Sequence, residues 1–170
     1  DIEVVAGLTK SQVEEIGAVS ASVGQEFGVG ANAAAQGALE LARAGVKATE
    51  VAKALPAALA LSSAAAISVA DAAKFAVTGM TAFNLTAADL PRVADVFTNF
   101  ANTTTLGASD FSRAIAAVGP VAQQVGLKIE DLASIMSLAA KAGFRRMEDA
   151  GTSLKTLLLN LSAPTQKAAA

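Results

Sequence analysis

The chain contains no cysteine, histidine, tryptophan or tyrosine, and phenylalanine, at seven positions, is its only aromatic residue. Without cysteine there is no disulfide framework, no thiol nucleophile and no indication of redox compartment. Without histidine there is no imidazole base and no zinc site of the usual kind. Charge is scarce too: 13 basic and 15 acidic residues give a net charge of −2. A balance so close to zero argues against a nucleic-acid binder held by phosphate contacts, so no specific nucleic-acid partner is expected. What is present is small and apolar. Hydrophobic residues make up 53% of the 170, and alanine is about a quarter of the chain, far above ordinary usage. Such a composition excludes intrinsic disorder as a description of the whole, and the length suffices for one domain with a core. It points to a helical, apolar protein with no enzymatic role and no cofactor.

The chain opens Asp1-Ile2-Glu3, without methionine, which suggests a fragment or a processed product. No basic segment followed by an apolar run marks a signal peptide. The longest uncharged stretch, Ala54 to Ala70, lies at the short limit for a membrane span. It contains Pro56 and three serines and reads as a buried helix followed by a turn.

Apolar residues recur at helical spacing almost throughout. Val69, Ala73, Ala76, Met80 and Phe83 form one stripe; Leu90, Val93, Phe97 and Phe100 a second; Phe111, Ile115, Val118, Ala122 and Val125 a third. Leu154, Leu157, Leu158 and Leu161 form a fourth near the end. Start and stop signals cut this material into about eight short helices. Thr9 or Ser11 caps the first, which reaches Val23 and leads into a flexible joint at Gly24, Gly28 and Gly30. The second ends at Gly45, Thr49 caps the third, and Ser68 with Asp71 opens the fourth, which Asn84 terminates in a left-handed conformation. Thr86 with Asp89 opens the fifth and Ser109 the sixth, which ends at Gly126 and should be kinked or split at Gly119-Pro120. Glu130-Asp131 and Glu148-Asp149 open the last two, which end at Gly143 and Pro164. The fold expected is all-α, stacked helical hairpins with an alanine-rich core. Residues 1–30 form a helix and glycine-rich hinge, 31–163 the hairpin core, and 164–170 a frayed tail.

Gly45-Val46, Asn84-Leu85 and Gly126-Leu127 share a pattern: a terminator, an aliphatic residue, then an acid and another aliphatic residue at offsets five and six. This is either an internal duplication or what any helix-turn-helix needs, namely a stop, an anchor and an N-terminal acid.

Chemistry is hard to find. The acidic pairs are Glu14-Glu15, Glu130-Asp131 and Glu148-Asp149, and two of the three fall where a helix begins and its dipole favours negative charge. Ser153 and Lys155 do not face each other on a helix. Gly24 to Gly30 lacks the Lys-Ser/Thr of a phosphate loop and reads as a hinge. Arg145-Arg146 suits a helix C-terminus. Asn84, Asn102 and Asn160 begin glycosylation sequons, but capping explains Asn84 better. No catalytic, cofactor-binding or metal residues are assigned.

The stretch Ala54-Leu55-Pro56-Ala57-Ala58-Leu59-Ala60-Leu61-Ser62-Ser63-Ala64-Ala65 resembles a helix in the core region of phage tail tape-measure proteins. Ordered matches follow at Ala82 to Asp89, Arg92 to Val96, Ala101 to Thr104, Val118 to Ala122, Gly126 to Asp131, Lys141 to Gly143 and Gly151 to Leu158. The resemblance covers roughly residues 30 to 165, and the glycine-rich segment from Gly24 to Asn32 departs from it. It implies a virion structural protein around which the tail tube assembles, whose length sets tail length and which leaves the tube during genome delivery. Implied partners are tail tube and baseplate or tail-tip proteins, tail assembly chaperones, further copies in a trimer or ring, and the host inner membrane. The implied location is the lumen of the tail tube.

A continuous helix rises ~1.5 Å per residue, so this chain could measure at most ~250 Å. The stops at Gly45, Asn84, Gly126 and Gly143 oppose that in the folded state, so the segment is expected to be a folded domain rather than the ruler. On that expectation, duplicating residues 45–143 would leave tail length nearly unchanged. An interaction scaffold of helical hairpins, or a membrane-active pore former whose hairpins open at modest cost, are the alternatives.

Overall fold

A computed structural model describes residues 9–162. The chain start and the tail from Pro164 lie outside the described residues. Among the described residues eight α-helices follow one another: α1 (Lys10–Glu26), α2 (Ala31–Arg43), α3 (Ala48–Ala65), α4 (Val69–Ala82), α5 (Leu90–Thr103), α6 (Ala108–Gln124), α7 (Ile129–Lys141) and α8 (Met147–Ser162), with a 3₁₀ turn (Ala87–Asp89) before α5. Among the described residues there is no strand.

Sequential helices are antiparallel neighbours, but the strongest packing is between alternate ones. Helices α1, α3, α5 and α7 form one layer, and α2, α4, α6 and α8 the other. Each hairpin therefore lies on the one before it, the arrangement of a helical solenoid, and one core runs between the layers. Alanine lets the helices approach: Ala34, Ala38, Ala72, Ala73, Ala76 and Ala114 are all fully buried. The larger side chains concentrate around Phe97, whose ring centroid lies 4.9 Å from that of Phe111, itself 4.6 Å from that of Phe100.

Six of the seven connections end their preceding helix in the same way. A residue with positive φ (Gly28, Gly45, Ala66, Asn84, Gly126 or Gly143) is followed by an apolar one. The N–H of that apolar residue donates to the carbonyl five residues back, as from Val46 to Leu41 at 3.0 Å and from Leu127 to Ala122 at 2.9 Å. This is the Schellman closure, which satisfies carbonyls left free at a helix end. Gly45, Asn84 and Gly126 join successive hairpins; Gly28, Ala66 and Gly143 turn within them. The turn within the third hairpin is the exception. There the Thr104 hydroxyl donates to the Phe100 carbonyl, at 2.9 Å, and accepts from the Leu106 N–H. The repeat legible at 45, 84 and 126 is thus one of two interleaved sets of turns.

Several expected boundaries shift. Helix α1 runs through Gly24, which is buried and would place a methyl group 3.0 Å from the Ala34 Cβ, so it is a packing position and not part of a joint. Lys47, not Thr49, is the N-cap of α3, and Gly107, not Ser109, that of α6; Glu50 and Asp110 occupy the third helical position after them. Pro120 does not split α6. The carbonyl it deprives of a donor belongs to Ala116, an exposed residue whose carbonyl water can satisfy.

Candidate functional site

Two of the three acidic pairs, Glu130-Asp131 and Glu148-Asp149, are occupied in starting helices. Glu50, Asp71, Asp89, Asp110, Asp131 and Asp149 all fall in first turns. The carboxylates of Asp89, Asp110 and Asp131 accept from the N–H groups of Thr86, Gly107 and Lys128 at 3.0, 3.1 and 2.9 Å. These bonds hold three N–H groups that the helices leave unpaired. Asp89 is kept below the ordinary carboxylate range by the Thr86 N–H first and the Thr86 hydroxyl second. Glu14 and Glu15 are exposed on α1, and Glu148 and Asp149 face Arg146 at 4.0 and 3.4 Å.

Glu130 makes the one ion pair between separate helices among the described residues. Arg92, in the first turn of α5, donates through Nε and Nη2 to the two carboxylate oxygens of Glu130, in the first turn of α7, with the second bond 2.8 Å long. The bonds from Arg92 hold the Glu130 carboxyl below its usual range, and the Arg92 guanidinium is pushed up in turn. Glu130 borders two grooves. One, of about 730 Å³, is bounded by Phe83, Leu85, Gln123 and Leu127; the other, of about 510 Å³, by Val96, Asn99, Ser137 and Leu138. Both are open, and neither contains a second acid that could pair with Glu130.

The other sequence candidates remain apart. Ser153 and Lys155 are exposed on α8, and Gly24 lies inside α1 while Gly28 closes its end. Arg145 is exposed beyond α7; Asn84 is a left-handed terminator, and Asn102 and Asn160 lie on exposed helical surface. Among the described residues no group of three or more acidic side chains is placed to hold a metal. The buried Ser20 and Ser62 hydroxyls donate to the Ile16 and Ile67 carbonyls, both at 2.6 Å.

The first three apolar stripes are buried except for Val125, but the fourth is not: Leu157 and Leu161 are 53% and 74% exposed. Leu138, Phe144 and Leu159 are exposed on α7, the α7–α8 turn and α8. Periodicity marks an apolar face but not whether anything covers it.

A family described as Phage-related minor tail protein matches residues 17–170. The chain is also 32% identical over 165 residues to the "Tape measure protein" of Pneumococcus phage Dp-1. That match covers 97% of this chain but 14% of the relative, so the chain spans about a seventh of the relative's length. No solved structure matches.

Proposed function

The chain belongs to the phage-related minor tail protein family, and from that premise we propose that it is a folded helical-hairpin segment of a longer tape-measure protein, acting in assembly of the tail rather than as its ruler. It is a structural component of the virion tail. The tube lumen is the place proposed for it, with the tube and tail-tip proteins, tail assembly chaperones and further copies of itself as partners. Its proposed part is structural rather than catalytic, in keeping with its family.

The observation that carries this reading is the stack itself. Helices packed side by side lie 8–10 Å apart, so four hairpins advance the stack by only ~30 Å. The same residues in one continuous helix would extend for ~230 Å. A segment folded this way contributes little to a ruler's length.

Duplication of residues 46–126 in the parent protein tests it, because Gly45 and Gly126 end equivalent helices and the insert adds two whole hairpins in register. A 45–143 insert would add five helices and reverse the two layers. As a continuous helix the insert would lengthen the tail by ~120 Å; as two stacked hairpins it would add no more than ~20 Å. Tails measured by electron microscopy are expected at or near parental length, and an increase near 120 Å would overturn the reading.

One observation favours a second role, in genome delivery. Among the described residues no single helix is long and apolar enough to cross a membrane, but α3 and α4 meet that criterion together, bent by 113°. A stack that opened during ejection would expose this hairpin to a bilayer. Leakage of dye from liposomes carrying the chain tests this, and no leakage or lipid binding at any pH counts against it.

A further inference from the structure

The two ends of the stack differ. At the first, the exposed residues of α1 are polar or small, Lys10, Glu14, Glu15, Ala18, Ser22 and Gln25 among them, and one large apolar side chain, Phe27, is exposed just after it. At the other, α7 and α8 carry five of the seven large apolar side chains exposed among the described residues. They are spread over both layers and the turn between them: Leu138 at 69% on α7, Phe144 at 46% in the turn, and Leu157, Leu159 and Leu161 on α8.

Phe144 is the most telling. It follows the left-handed Gly143 as Val29 follows Gly28 and Ile67 follows Ala66. Those two counterparts are packed against the core, whereas Phe144 is not. In a solenoid each repeat buries the apolar face of the one before it, and a terminal repeat that faces water carries a polar outer surface. The α7–α8 hairpin has the outer surface of an internal repeat.

We propose that this end is the seat of a further helical hairpin of the same polypeptide, with one helix on α7 and the next on α8. The footprint asks for more than one helix, because Phe144 lies in the turn between the layers and Leu157 and Leu161 lie on α8. A hairpin continuing the stack covers both layers, as α7 and α8 cover α5 and α6. The relative, of which this chain matches 14%, has ample length for it. The proposal rests on repeat geometry and family membership and is independent of any role in tail length.

The chain has no cysteine, so introduced thiols report cleanly. Leu157→Cys, Leu161→Cys and the polar-face control Ser153→Cys are made in the 170-residue chain and in the intact parent polypeptide, and iodoacetamide labelling is read peptide by peptide by mass spectrometry. Positions 157 and 161 are expected to react about tenfold or more slowly in the parent than in the chain, independently of concentration, with position 153 alike in both. Equal rates at 157 and 161 in the two polypeptides would overturn the proposal. So would protection that grows with concentration, which indicates a second copy, or protection that requires added phosphatidylglycerol vesicles, which indicates a bilayer. As a second readout, Leu157→Glu should leave the thermal midpoint of the 170-residue chain unchanged and lower that of the parent; an unchanged midpoint in both refutes it.

Discussion

A methyl group on Gly151 of α8 would lie 3.1 Å from the carbonyl oxygen of Ala114 on α6 and 3.3 Å from its Cα. The obstacle is backbone, which cannot rotate away, so the two helices meet at a spacing that is tight for any residue larger than glycine. Gly119 plays a similar part on α6, where a methyl group would stand 2.8 Å from the Ala82 Cβ of α4. The alternate-helix layering of the stack depends on such contacts.

Gly151→Ala is therefore expected to destabilise the chain by about 1–3 kcal/mol, the usual cost of overfilling a packed contact. Gly17→Ala should do the reverse. Gly17 is an exposed position within α1, and nothing lies within 4 Å of where its methyl group would be. There the better helix propensity of alanine should add about 0.5–1 kcal/mol. Urea unfolding followed by circular dichroism separates the two signs.

Phe111 touches the rings of both Phe97 and Phe100 and is fully buried where α5 and α6 meet. Phe111→Ala should cost about 3–5 kcal/mol and thereby loosen the third hairpin. Phe27→Ala, at a residue 40% exposed, should stay within about 0.5 kcal/mol. A Phe111→Ala variant that melts with the parent chain would contradict the packing described.

Acid should weaken the fold through Glu130 and Asp89. Both carboxyls are held below their ordinary values of 4.5 and 3.8 when folded. A carboxylate shifted downward contributes its full stabilisation above the unfolded value and loses it as pH falls through the folded one. Stability should thus decline as pH drops below about 4.5 and go on declining below 3.8. The Arg92–Glu130 pair is about two-fifths exposed on each side, so solvent and salt screen it and its share is about 0.2–1 kcal/mol. Glu130→Gln with Asp89→Asn should flatten the decline, as measured by urea unfolding from pH 6 to 3.

Where the chain stops and starts was legible to the extent that side chains advertise it. Gly45, Asn84 and Gly126 announce left-handed ends because few other residues tolerate them, and Ser68 with Asp71 carries its own acceptor. Lys47 and Gly107 do not, since neither offers a side-chain acceptor; Thr49 and Ser109, two residues later, look like better caps than the residues that serve. The joint expected at Gly24 was misplaced because glycine serves both turns and close packing, and only the neighbour, here Ala34, decides between them. The leucines of α8 announce one more apolar stripe but not its exposure, because periodicity records the face and not its partner.

Ala66 is the turn that composition concealed, and it makes the sharpest test of the repeat. Its φ of 52° is one that alanine adopts only under constraint. The cost is about 1–2 kcal/mol for a residue with a Cβ. Two bonds enforce it: the Ile67 N–H donates to the Ser62 carbonyl at 3.1 Å, and the Ser62 hydroxyl donates back to the Ile67 carbonyl at 2.6 Å. Ala66→Gly relieves the strain at the expense of a more flexible unfolded chain, so a net gain of about 0.5–1 kcal/mol is expected. Gly126→Ala imposes the same strain at a turn of the other set, closed by the same bond, and should lose about 1 kcal/mol. Opposite signs from mirror-image substitutions would arise only if both positions are left-handed helix ends, so a loss of stability in Ala66→Gly would refute the two interleaved sets of turns.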